Sequence, residues 1–317
     1  MLFVFSFLWL FSAKLAQAQE TEKLGLHVLR PAELAEVRQF YGDDGQWHYV
    51  TLPLPLADMQ TSASEWQAAF EQADDLKLIP IVRLVTRFEN GAWQQPSRRE
   101  LVSYFEFLDA LPWPTEKRHI VVFNEVNHAA EWGNSLDAPS YARVLRFVAD
   151  WAHSENKGYV VLPAGMDLAA PNGKITQEAF AYLREMVAFD PEIFTVIDAW
   201  NSHSYPNPAF SAAPQLKGKN MVNGFEYELA YLKEKTGRDF EVFITETGWS
   251  LSPATQRWLS QYYQYARQHI WSHPQVVAVT PFVLRGAPGP FAAFSLLDSA
   301  GVYTAQAVAI KKAAEGS

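Results

Sequence analysis

From Leu24 onward the chain alternates short, nearly continuous apolar runs with longer segments whose apolar residues recur at helical spacing. Strands covered on both faces need apolar residues at every position, and strands separated by helices pair in parallel through crossovers. Eight such runs are legible: Leu24 to Leu29, His48 to Leu52, Ile79 to Val85, His119 to Phe123, Tyr159 to Leu162, Val196 to Trp200, Phe240 to Thr245 and Val276 to Val283. Between them, Ser62-Ala63-Ser64-Glu65 and Ser97-Arg98-Arg99-Glu100 read as capping boxes, in which hydroxyl and carboxylate each take an orphan backbone N–H at a helix start. Leu101, Tyr104, Phe105 and Leu108, and again Tyr141, Val144, Leu145 and Val148, fall at i, i+3, i+4, i+7, so each helix has one face to bury. A last helical pattern runs from Ala305 to Glu315. Eight strand-helix repeats predict an α/β fold, a single (β/α)₈ TIM barrel, because an open sheet of that size would leave two unpaired edges. Pro53, Pro55, Pro80 and Pro281 are expected at strand ends, since proline cannot donate to a closed ladder.

The first residues do not share this pattern. Leu2 to Ala13 is an apolar run shorter than the roughly 20 residues of a membrane span, and Ala16-Gln17-Ala18 follows it as a small-residue cleavage signal. Residues 1–18 therefore read as a secretory signal peptide and 19–317 as one domain, secreted or periplasmic. Because no Lys or Arg precedes the apolar run, the alternative is an uncleaved anchor that ties the domain to a membrane.

The 26 basic against 35 acidic residues give a net charge of −9, which offers no attraction to a phosphate backbone and disfavours strongly anionic polysaccharides. Nucleic acid is excluded as a partner. The chain has no Cys, so disulfides, thiolate metal sites and cysteine nucleophiles are absent. Its 8 His include no closely spaced pair of the kind a metal-dependent barrel hydrolase uses, and neither a metal nor a cofactor is expected.

In a barrel the reacting groups come from the C-terminal ends of the strands. The fourth run ends in Asn124-Glu125-Val126-Asn127 and the seventh in Thr245-Glu246-Thr247-Gly248-Trp249. Two carboxyls facing each other across a barrel mouth are what glycosidic bond cleavage needs: one protonates the departing oxygen, and the other attacks the anomeric carbon or activates water.

With Asn124-Glu125 after the fourth run and Ile244-Thr245-Glu246-Thr247-Gly248-Trp249 at the seventh, the mature chain resembles clan A of the glycoside hydrolases, closest in look to family 39 or family 5. The resemblance implies a retaining β-glycosidase with a carbohydrate substrate. It assigns Glu125 as acid/base and Glu246 as nucleophile, with Asn124 on the sugar 2-hydroxyl. Asn201-Ser202-His203-Ser204-Tyr205 is similar to the clan's segment carrying a His and a Tyr beside the nucleophile, which puts His203 and Tyr205 in the site. Two positions depart from the clan. The Arg that supports the nucleophile from strand two is replaced here by Leu52-Pro53-Leu54-Pro55, leaving Arg83 of the third run to serve, and the Trp that floors the sugar site after strand eight is replaced by Thr280-Pro281-Phe282.

Trp66, Trp151 and Trp258 lie in helical patterns and are expected to face the sheet, whereas Trp132, Trp200 and above all Trp249 lie near strand ends and are expected to line the cleft. Ser202 to Gly224 reads as a loop wall beside the sixth strand. The same residues would serve a transglycosylase, and a catalytically inert carbohydrate-binding barrel is the alternative of another class.

Overall fold

The structure, a computed structural model, describes residues 21–315, so the signal segment read at residues 1–18 lies outside the described residues. Eight strands, β1 (Thr21–His27), β2 (Trp47–Pro55), β3 (Leu78–Val85), β4 (Arg118–Val122), β5 (Tyr159–Pro163), β6 (Trp200–His203), β7 (Val242–Glu246) and β8 (Val276–Val279), each precede a helix. The helices are α1 (Leu34–Tyr41), α2 (Ala63–Ala73), α3 (Arg98–Ala110), α4 (Ala138–Glu155), α5 (Ala179–Phe189), α6 (Gly224–Thr236), α7 (Leu259–His269) and α8 (Ala305–Glu315). The sheet runs β5-β4-β3-β2-β1-β8-β7-β6, with every pair parallel. At the seam the Asp198 N–H donates to the Val161 carbonyl (3.1 Å), the Val161 N–H donates to the Asp198 carboxylate (2.7 Å), and a parallel bridge joins Asp167 to His203. The sheet thereby closes into the expected (β/α)₈ barrel.

The interior below the mouth is filled by Tyr49, Ile81, Val121, Leu162, Phe243 and their neighbours, all buried. Each large apolar side chain so placed contributes about 1.5–3 kcal/mol relative to exposure. His119 joins this layer against Tyr49 and Phe243, and burial pushes its imidazole down to about 3, so it packs as a neutral ring. Outside the barrel, α3 buries Leu101, Tyr104, Phe105 and Leu108, and α4 buries Tyr141, Leu145 and Val148, the stripes expected from the sequence. Tyr141 also ties two strand ends together, its hydroxyl donating to the Val122 carbonyl (3.0 Å) and accepting from the Ala164 N–H (2.7 Å).

Several local expectations are corrected. The Ser97–Glu100 box forms in full, but Ser62 makes no side-chain cap: its backbone (φ −129°, ψ 20°) closes a preceding single turn, Asp58–Thr61, and is not extended as a cap requires. The sixth strand begins at Trp200, where the sixth apolar run ends, because Ile193–Thr195 form a 3₁₀ turn before it. Pro53 and Pro80 lie inside strands rather than at their ends. The last rung from β1 to β2 is the Val28 N–H on the Thr51 carbonyl, and Pro53 and Pro55 turn their missing donors toward β1 beyond that rung. Pro80 faces β4 ahead of its first residue, where the Lys117 carbonyl accepts from the Thr115 hydroxyl instead.

Candidate active site

The C-terminal mouth of the barrel opens into a cavity of about 580 Å³ whose lining includes Arg83, Asn124, Glu125, Tyr205 and Glu246. Glu125 follows the end of β4, on a backbone that enters the left-handed region at Phe123 (φ 72°) and again at Glu125 (φ 21°). Such angles cost a non-glycine residue of order 1 kcal/mol or more and concentrate at functional sites. Glu246 is the last residue of β7, and the register between β6 and β7 slips by one residue between the Ser202 and His203 pairs. That slip lets two adjacent side chains turn inward: Thr245 bonds Asn201 and His203, and Glu246 reaches Arg83.

One oxygen each of Glu125 and Glu246 and a nitrogen of His203 lie within 4.8 Å of one another. An approach this close between single oxygens is compatible with carboxyl groups about 5–5.5 Å apart, the spacing of a pair in which one carboxylate attacks the anomeric carbon directly. Arg83 Nη1 donates to Glu246 Oε1 and also to Asn124 Oδ1 (2.8 Å), while the Tyr205 hydroxyl donates to Glu246 Oε2 (3.1 Å). Burial alone would raise the Glu246 carboxyl, but the positive charges of His203 and Arg83 outweigh it and hold the group at about 2. Tyr205 is pushed far above its ordinary value by burial and by Glu246, and stays a neutral donor.

The protonation of His203 follows from its partners. The Thr245 hydroxyl donates to Asn201 Oδ1 (2.6 Å), so it accepts from His203 Nε2 (3.3 Å), while His203 Nδ1 donates to Glu125 Oε1 (3.1 Å) and lies 3.8 Å from Glu246 Oε2. Both ring nitrogens therefore carry protons. Burial would lower the imidazole, but the charges of Glu246 and Glu125 prevail and raise it, which agrees with a cation between two carboxyls. Glu125, His203 and Glu246 also have a spacing a metal ion could use. Arg83 on Glu246 and the proton on His203 Nδ1 occupy that place with positive charge instead, so the arrangement fits a charge-paired carboxyl dyad.

A glycine makes room for this histidine. A Cβ on Gly165, just beyond β5, would stand 2.2 Å from His203 Cδ2, so only a bare Cα lets the ring sit where it does. We expect Gly165→Ala to displace the imidazole and lower kcat/KM by roughly 10- to 100-fold, a loss typical of misplacement by about 1 Å, and to lower Tm as the overpacked site yields. Steady-state kinetics beside thermal melts check this; unaltered kinetics would mean that the ring position is immaterial.

Arg83 provides a pH prediction. For a nucleophilic Glu246, which has to be ionised, we expect the acid limb of activity near its low titration point. Arg83→Met removes a positive charge, raises the Glu246 carboxyl, and moves the acid limb of kcat/KM upward by roughly one to three pH units. An unmoved limb in a pH-rate series would contradict the pairing. In the folded chain the carboxyl titrates at about 2 rather than the ordinary 4.5, so its ionised form favours folding above about 4.5, a contribution lost as pH falls toward 2.

The other residues singled out in the sequence divide. Asn124, His203, Tyr205 and Arg83 converge on the two carboxyls. Trp249 does not line the cleft: it is fully buried, its Nε1 donates to the Ala212 carbonyl (2.7 Å), and it packs against Tyr263 and Trp271. Trp132 and Trp200 are likewise buried, against Phe123 and Tyr141 and against Phe194. Trp66 is buried as expected, whereas Trp258 is 40% exposed and stacks on Tyr262 rather than facing the sheet.

The aromatic wall comes from elsewhere. Tyr205 and Phe210 of the loop after β6 meet Phe294 edge-on, with centroids 5.0 to 6.0 Å apart, and Phe282 meets Phe291 at 5.0 Å. Phe282 lines the cavity after β8, where the clan has its Trp. Trp93, on a two-stranded ribbon (Phe88–Glu89 with Ala92–Trp93), also lines it. Trp93, Phe291 and Glu131 were not singled out from the sequence: they sit on a two-residue strand, a turn and a 3₁₀ turn, too short for periodicity to tell inward from outward.

Behind β6 the alternation continues the logic. Asn201, His203 and Tyr205 point inward, while Ser202 and Ser204 face α6, where the Ser202 hydroxyl donates to the fully buried Glu228 (2.5 Å) and the Phe225 N–H donates to Ser204 Oγ (2.9 Å). Burial pushes the Glu228 carboxyl up to about 7.

No family model and no curated protein matches this sequence. Solved structures do. A family 39 glycoside hydrolase from the gut symbiont Bacteroides cellulosilyticus WH2 superposes with a TM-score of 0.58 over 92% of this chain at 14% identity. This chain spans only 64% of that protein's length. An endo-β-1,4-glucanase from Xanthomonas axonopodis pv. citri gives 0.63 at 12% identity, covering 93% of this chain and 99% of the other. A family 128 endo-β-1,3-glucanase from Pseudomonas viridiflava gives 0.55 at 14% identity, covering 92% and 98%. The chain shares the barrel fold of these glycoside hydrolases. At such identities the likeness establishes architecture, and chemistry has to be read from the residues at the mouth.

Proposed function

We propose that this chain is a retaining β-glycoside hydrolase that cleaves a polysaccharide or oligosaccharide through a covalent glycosyl-enzyme. The observation that carries the reading is the close approach of Glu125 and Glu246 in one cleft, with Glu246 kept ionised by Arg83 and His203. In the first step Glu125 gives its proton to the leaving oxygen while Glu246 attacks the anomeric carbon; in the second, Glu125 takes a proton from water as water displaces Glu246. Asn124, fixed by Arg83, stands beside the sugar 2-hydroxyl. The aromatic wall offers apolar faces to the pyranose rings.

The test is sugar release from a panel of β-1,3- and β-1,4-glucans and other β-linked polysaccharides, run beside Glu246→Ala. Release that vanishes in the variant supports the reading. Tight binding of a panel member without release would favour the inert barrel.

We also propose that residues 1–18 direct secretion and are removed. A secreted protein beginning at Gln19, read by mass spectrometry, is the expected outcome; retention of Met1 on a membrane fraction would favour the anchor. No helix among the described residues is long and apolar enough to cross a membrane.

A further inference from the structure

Glu131 ends the 3₁₀ turn Ala129–Glu131, six positions after Glu125, and lines the same cavity as Glu125, Asp167 and Glu246. The cavity's cations are already committed. Arg83 is spent on Glu246 and Asn124, and His128 donates to Asp167 (2.9 Å). Among the described residues no Lys, Arg or His lies within ion-pair distance of Glu131; its partner is the Asn124 side chain. The titratable groups that face it are Glu125 on its own loop, Arg83 from β3, Glu246 from β7 and His128 beside it. Burial and the charge of Glu125 push the Glu131 carboxyl up to about 7, the response of an acid that lacks a cation. A positive group delivered by a ligand would supply what the protein withholds.

Resting on the reading of this cleft as a sugar site, we propose that Glu131 touches the substrate and makes the cleft discriminate by charge, favouring a sugar that carries an ammonium group over one with a hydroxyl in the same place. The opposing aromatic wall is uncharged and presents no lysine to such a ligand. A cleft in which carboxylates outnumber cations draws a positive ligand, and that attraction weakens with salt.

Two probes differ in little else: the β-1,4-linked glucosamine tetramer and cellotetraose. Their binding is measured by calorimetry at mildly acid pH, in a Glu246→Asp background whose shortened carboxylate keeps a negative partner for Arg83 while crippling attack on either tetramer, with and without Glu131→Gln. We expect the glucosamine tetramer to bind at least tenfold tighter and to release a proton, detected by repeating the titration in buffers of different ionisation enthalpy, as the ammonium displaces the acid proton of Glu131. In the near-isosteric Glu131→Gln, with an unchanged melt, both the preference and the proton release disappear. Equal or tighter binding of cellotetraose, or no binding of the glucosamine tetramer, overturns the proposal. Neither outcome touches the glycosidase reading, which stands or falls on sugar release from the polysaccharide panel.

Discussion

Glu246→Ala is expected to lower turnover by on the order of 10⁴-fold or more, because it removes the carboxylate that forms the bond to the anomeric carbon in the proposed mechanism. The rest of the cleft stays in place: Glu125, Asn124 and the aromatic wall still line it. Truncating the side chain leaves a space beside Arg83 and His203, two positive groups that previously faced a carboxylate. Azide fits that space. It attacks from the face Glu246 used, so activity on an activated aryl β-glycoside returns and the product is the α-glycosyl azide. A β-azide, or no rescue together with full binding, would mean that Glu246 is not the attacking group.

Glu125→Ala is expected to affect the two steps unequally. Glycosides with poor leaving groups need a proton on the departing oxygen and lose roughly 10²- to 10⁴-fold. Aryl glycosides whose phenol leaves unaided are spared in the first step but stall in the second, where water has lost its base. The covalent intermediate then accumulates, giving a burst of phenol followed by slow turnover. Azide needs no deprotonation and releases the enzyme as the β-glycosyl azide, the anomer opposite to that from Glu246→Ala. The pair of variants with opposite azide products fixes both roles. An equal loss on good and poor leaving groups would assign Glu125 to positioning alone.

How legible this was in the sequence depended on whether a residue's direction follows from its neighbours. The strands read clearly because a barrel covers both faces and nearly every position is apolar, as in Tyr159 to Leu162. The sixth strand was displaced for the complementary reason. Its inward residues Asn201 and His203 are polar because they serve the site, while the apolar residues before it, such as Ile197, are buried below the mouth without joining the ladder. Strand-end position was enough to find Glu125 and Glu246. Arg83 was singled out through the resemblance, which calls for an Arg beside the nucleophile and finds none at the end of the second strand.

Trp249 was misread because the one-residue slip at Glu246 breaks the alternation from which its direction would be inferred. Glu131 was not read at all, since nothing local says that a turn after β4 folds back over the cleft. The Ser62 box failed on geometry that sequence does not carry: the same four residue types cap a helix only when the first one arrives extended.

Double and single displacement differ in the anomer of the first-formed product. Proton NMR of the reducing-end signal in the first minutes of hydrolysis, before mutarotation, should show the β anomer ahead of the α, because two inversions at one carbon restore the starting configuration. An α product appearing first would mean that water attacks the sugar once with Glu246 as its base, contradicting the covalent intermediate on which the roles of Arg83, Tyr205 and His203 are built.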